Sequence, residues 1–195
     1  FPATDGGAMG MHSMTRGLLN LGHKVKVLSF HSKKHPCKIE NLPQEYKDET
    51  NFETVFVDLD IKPLPALTAW LTGESYHVKR FINQQMKNKL AEILRKEEFD
   101  IVQMESIFLT PYVPLVRKLS KAKVVLRSPN VENMIWKRTY KATKNPLKRY
   151  YLKHLALTLE YYEKENINQY DAIFPVTDVD ANYFIENGYR KLCKA

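Results

Sequence analysis

The chain has 195 residues, is 44% hydrophobic and carries a formal charge of +8 from 30 Lys and Arg against 22 Asp and Glu. That balance excludes a disordered chain, and the length suffices for one real core, so a single domain over 1–195 is expected. No run approaches the roughly 18 apolar residues of a membrane span and no signal peptide opens the chain, which leads us to expect a soluble, cytoplasmic protein with an anionic partner.

Cys37 and Cys193 are the two thiols. They have no partners at zinc spacing and fit a reducing compartment.

In chain order, Asp5, Gly6 and Gly7 form a Gly-rich loop that opens an amphipathic helix ending at Gly22. Met11, Met14, Leu18 and Leu21 recur at the spacing of one buried face. Val25 to Phe30 then reads as a strand. A loop, helix and strand in this order make half of a βαβ unit. Since the chain opens on Phe1 rather than Met, it reads as trimmed just after the first strand.

From His31 to Asn51 the polar composition predicts a long surface loop. Phe52 to Asp60 resumes as a strand. Pro63 and Pro65 precede one long helix expected from Leu67 to Lys96, with Val78, Ile82, Met86, Leu90 and Ile93 or Leu94 on its buried stripe. A strand at Ile101 to Met104, a short helix through Val113, Val116 and Leu119, and a strand at Val124 to Leu126 follow. A basic helix or loop, a helix from Leu147 to Asn168, a strand at Ala172 to Val176 and a last helix ending at Gly188 complete the pattern. Alternating strands and helices predict an α/β, Rossmann-like parallel sheet with helices on both faces.

In such a sheet ligands bind beyond the carboxyl ends of the strands. The residues expected there are Asp5, Gly6 and Gly7, then Glu105 with Ser106, then Arg127, Asn130 and Glu132, and finally Thr177 and Asp178. Each cluster alone is as well explained by a turn or a helix cap; their convergence on one edge is what points to a site. Gly6, Gly7 and Gly10 do not match G-x-G-x-x-G, and no acidic residue closes the next strand to hold a ribose. NAD is therefore disfavoured, although Lys33 and Lys34 leave an NADP-type oxidoreductase as an alternative.

The carboxylate pairs Asp58/Asp60 and Asp178/Asp180 fit strand alternation and helix capping, so neither a metal nor a bound cofactor is expected. No G-x-S-x-G elbow supports a serine hydrolase.

From Lys137 to His154 the chain has no Asp or Glu, yet holds Lys137, Arg138, Lys141, Lys144, Lys148, Arg149 and Lys153, interleaved with Trp136, Tyr140, Tyr150 and Tyr151. A solvated face is the plain explanation. The sharper one is a patch for anionic lipid headgroups, giving a third reading as a non-catalytic, membrane-peripheral module. No nucleic-acid module accompanies the cations, and no nucleic-acid partner is expected.

Taken together, Phe1-Pro2 with Asp5-Gly6-Gly7-Ala8, Leu21-Gly22-His23, Phe99 to Gln103 with Glu105, Arg127 with Asn130-Val131-Glu132 and Trp136, and Asp171 through Thr177 to Asp180 form an ordered series. This series resembles the N-terminal domain of the family 4 glycosyltransferases of GT-B fold, over nearly the whole chain. The resemblance implies an acceptor-holding half of a retaining, metal-independent enzyme that moves a sugar from a nucleotide-sugar donor to a glycan or lipid-linked acceptor in cell-surface polysaccharide synthesis. It also implies a C-terminal donor-binding domain that would begin where this chain ends. Gly6 and Gly7 match the loop that approaches donor phosphate and acceptor; Arg127, Asn130 and Glu132 match the motif after the domain's fifth strand. Related sequences often carry His where this chain has Pro129, whose side chain cannot move a proton, so no catalytic residue is assigned.

Overall fold

The structure is a computed structural model and describes residues 6–195, so Asp5 lies outside the described residues. The chain is α/β, with two parallel sheets flanked by helices, one in each of the compact units Phe1–Leu59 and Asp60–Ala195.

In the first unit α1 spans Gly6–Asn20 and stops as expected at Gly22, whose φ of 83° needs a residue without Cβ. Its N–H donates to Leu19 O at 2.9 Å and that of His23 to Leu18 O at 3.1 Å, the paired closure of a Schellman motif. β1 (Leu28–His31) pairs in parallel with β2 (Glu53–Phe56), Leu28 opposite Glu53.

Two expectations fail here, for one reason. The segment read as a long loop contains α2 (Gln44–Thr50), ended by Asn51 at φ 43° and burying Tyr46 and Thr50. α1 leans on this helix through the His12 and Tyr46 rings, 5.2 Å apart, and through the Arg16–Glu49 ion pair. That contact turns the half-buried side of α1 to Ala8, His12, Thr15 and Leu19. Of the expected stripe Leu18 is half-buried, whereas Met11, Met14 and Leu21 are exposed.

The second unit begins with α3 (Pro63–Thr72), whose prolines fill first-turn positions where a missing N–H costs nothing. Gly73 at φ 71° ends it, and a short α4 (Tyr76–Lys79) follows before α5 (Gln84–Lys96). The single helix expected from 67 to 96 is thus three. Asn83 starts α5 by accepting the Met86 N–H at 3.1 Å, and helical spacing across the break is coincidental, leaving Ile82 exposed. Tyr112 fixes that break: its hydroxyl donates to Phe81 O at 2.6 Å and accepts from Asn83 N–H at 2.9 Å, with the side chain buried. Tyr112→Phe is expected to lower the unfolding free energy by about 1–2 kcal/mol in urea titration. An unchanged midpoint would remove this role from the hydroxyl.

β3 (Ile101–Met104), β4 (Lys123–Ser128), β5 (Ala172–Pro175) and β6 (Leu192–Cys193) form the second sheet in that order, all parallel. A 3-10 helix at Ile107–Tyr112 and α6 (Val113–Leu119) join β3 to β4. α7 (Glu132–Ala142) and α8 (Pro146–Asn166) join β4 to β5, and α9 (Asp178–Glu186) joins β5 to β6. α9 ends with a second Schellman closure, at Gly188 with φ 96°. One sheet face is sealed: Val124, Leu126 and Ile173 have no exposed surface. At the amino edge Asp171 locks β4 to β5, its Oδ2 accepting from Val124 N–H at 2.7 Å and pairing with Arg117 at 2.8 Å.

Candidate functional site

The carboxyl edge of the second sheet gathers most of the residues expected there. Glu105 follows β3 and Arg127 is the penultimate residue of β4. The register that sets Met104 against Leu126 carries on to set Glu105 against Arg127. Their side chains meet at 2.7 Å, only 12% exposed at Arg127 and 23% at Glu105. Gln103, two residues before Glu105 and so on the same sheet face, donates to its other carboxylate oxygen. The guanidinium has five N–H donors, and this contact engages Nη1, so the group is held in place with donors left for a ligand oxygen.

Beyond β4 the chain turns through Pro129. Ser128 Oγ donates to Asn130 O at 2.7 Å, which fixes the turn and leaves Asn130 exposed. Glu132 is the first residue of α7, where burial pushes its carboxyl above the ordinary range. Val131 offers α7 no side-chain cap.

Three other elements brace this start. The buried Glu163 of α8 accepts from the Asn133 backbone N–H at 3.2 Å and from the Asn133 side-chain amide. The same amide donates to Tyr183 of α9 at 2.7 Å. Burial foremost, with the nearby Glu132 and Glu160 adding to it against the Asn133 hydrogen bonds, raises the Glu163 pKa to about 7. His77 of α4 lies with its ring 4.0 Å from Trp136 of α7, and its Nε2 is buried without a hydrogen bond. Burial, then the Arg80 cation, lowers its pKa to about 4, so the imidazole is neutral at pH 7. Neither Glu163 nor His77 was singled out from the sequence; only an alternating helix stripe containing a charge could have drawn notice to Glu163.

Thr177 and Asp178 stand where β5 ends and α9 begins, but Thr177 is engaged locally. Its hydroxyl accepts from Asp180 N–H at 3.1 Å, capping α9, and donates to the Asp180 carboxylate at 2.9 Å, while both Thr177 and Asp178 are exposed. Gly6 and Gly7 open α1 in the other unit and are exposed; a Cβ at Gly6 would meet nothing within 4 Å. Packing among the described residues therefore does not demand glycine at position 6.

No family model, curated protein or solved structure matches the chain.

The chemistry must be read from the geometry. Among the described residues no group of three or more His, Cys, Asp and Glu is placed to hold a metal ion, and no helix is long and apolar enough to cross a membrane. A fixed Arg–Glu pair beside an exposed amide and a helix start is suited to binding a polyhydroxyl or anionic ligand, since it offers both donors and acceptors at one edge. A pocket of about 480 Å³ lies elsewhere, lined among others by Ser75, Lys79, Thr158 and Tyr161.

Proposed function

We propose that the chain is the acceptor-binding, N-terminal part of a retaining, metal-independent glycosyltransferase of GT-B fold, acting from a nucleotide-sugar donor on a glycan or lipid-linked acceptor in cell-surface polysaccharide synthesis. The observation that carries this reading is the Glu105–Arg127 pair, on neighbouring strands, at the carboxyl edge of a parallel sheet, directly before the Asn130-Val131-Glu132 turn. In this reading Arg127 donates to acceptor or donor oxygens, Glu105 orients it and accepts from hydroxyls, and Asn130 and Glu132 extend the same edge. Buried Glu163 acts through Asn133 as a positioning residue for the turn.

The complete gene product should release nucleoside phosphate from a nucleotide sugar when supplied with a glycan or polyprenyl-linked acceptor. Gly7→Val, at the start of α1, is expected to abolish that turnover while the circular dichroism stays that of the wild type. Wild-type turnover in Gly7→Val would show that the start of α1 has no part in the reaction. Inactivity across nucleotide sugars combined with saturable NADPH binding would overturn the transferase reading in favour of an oxidoreductase.

A further inference from the structure

We propose that α3 and the tip of the α7–α8 hairpin form one face that docks on an anionic lipid bilayer, the leucines of α3 entering the headgroup region and the hairpin cations meeting lipid phosphates. This inference stands on the second unit alone and is independent of the transferase reading.

α3 is built the wrong way round for a helix that ends at water. Its ten residues carry no charge. The small residues face inward, Ala69 fully buried and Ala66 packed beside it on the Tyr76, Leu152 and Leu155 cluster. The large ones face outward: Leu64 is 75% exposed, Leu67 49% and Leu71 71%, a stripe at i, i+3 and i+7. Ile61 continues the stripe before the helix, and Trp70, also exposed, lies 6.1 Å from the His154 ring of α8. An uncharged helix with a continuous exposed leucine stripe marks an interaction surface rather than a solvated one.

The adjoining charge decides the occupant. α3 rests at the level of Tyr140, Tyr151 and Leu152, and Lys148 lies one helical turn from Leu152. Arg138, Lys141, Lys144, Lys148, Arg149 and Lys153 are all exposed around the hairpin tip, interleaved with the exposed Leu147 and Tyr150. Lys137 is a correction to the expected patch: it pairs with Glu160 at 2.8 Å and is withdrawn from the face. Leucines and cations together match the two phases of an anionic bilayer surface, apolar below and phosphate above. A nucleic acid would satisfy the cations and offer the leucines nothing. A second copy of the chain, docking the same face on itself, would set the cations against one another.

The test is co-sedimentation of the full chain with vesicles of phosphatidylcholine alone and of phosphatidylcholine mixed with phosphatidylglycerol. Binding is expected only to the mixed vesicles and should weaken as salt rises. Lys148→Ala with Arg149→Ala should reduce it about thirtyfold. Leu67→Ser with Leu71→Ser should reduce it about tenfold or more, with circular dichroism unchanged because both leucines are exposed. Brominated lipid should quench tryptophan emission, and Trp70→Phe should remove most of that quenching. Equal sedimentation with both vesicle types, or wild-type binding by the leucine variant, would overturn the proposal. So would concentration-dependent self-association abolished by the leucine variant while vesicle binding is absent, which would assign the face to a second copy.

Discussion

Glu163→Gln is expected to stabilise the second unit at about pH 8 by as much as roughly 3 kcal/mol and to leave it nearly unchanged near pH 4. The buried carboxyl has a folded pKa of about 7 against an ordinary value of 4.5. Between those values the unfolded chain has lost the proton and the folded chain has kept it. Stability is therefore full below the unfolded pKa and is lost as pH rises through the folded one. Glutamine does not titrate and escapes that loss.

Geometry supports the substitution. Asn133 Oδ1 is buried without a partner, and rotating that amide presents it to the O–H of protonated Glu163 or the NH2 of Gln as donor, while the other oxygen of the acid, or the single oxygen of Gln, accepts from the Asn133 backbone N–H. Glu163→Ala instead strands buried donors of Asn133 and should cost about 1–3 kcal/mol near pH 4, a cost that shrinks or reverses toward pH 8 because alanine also escapes the titration loss. Trp70 and Trp136 are the two tryptophans and both belong to the second unit, so their fluorescence in urea titrations isolates its unfolding. Parallel pH profiles for wild type and Glu163→Gln would refute a raised Glu163 pKa.

The same network shows where sequence reading stops. Gly22 and Gly188 were legible as helix stops because a positive φ after an apolar stripe selects glycine, and both residues adopt it. β3, β4 and β5 were legible as short apolar runs between helices. α2 was not, since seven mostly polar residues cannot display a helical period, and its contact with α1 through His12 and Arg16 lies off the Met11 and Met14 stripe. The breaks at Gly73 and Asn83 were masked by apolar spacing that runs through them. β6 is only two residues long, too short to show any pattern.

At the edge of the second sheet, Glu105 and Arg127 were legible because strand ends can be read in order and neighbouring strands bring them together. Asn133, Glu163 and Tyr183 were not, because their hydrogen bonds join three helices across 30 and 50 residues of chain. His77 shows the same limit: its stacking on Trp136 depends on where α4 crosses α7, which no local spacing records.

Arg127→Lys in the complete gene product is expected to cut acceptor-dependent transfer by roughly a hundredfold, a loss comparable to removing a preorganised charged donor from a developing negative charge. Lysine keeps the charge but not the planar fork that Glu105 holds at 2.7 Å, so the ligand oxygen loses a fixed donor even where the fold is kept. Glu105→Gln tests the other half of the pair. It leaves the Arg127 cation in place but loosens it, and a smaller loss is expected, about tenfold, appearing in kcat more than in the acceptor KM if orientation is what Glu105 supplies. Both variants keep a polar partner at each position, lysine a cation beside Glu105 and glutamine an acceptor for Arg127, so urea midpoints should fall by less than complete removal of either partner of this largely buried pair would cause. Wild-type turnover in Arg127→Lys would detach this pair from the reaction. A large drop in the midpoint with a proportionate loss of turnover would make it a structural clasp between β3 and β4.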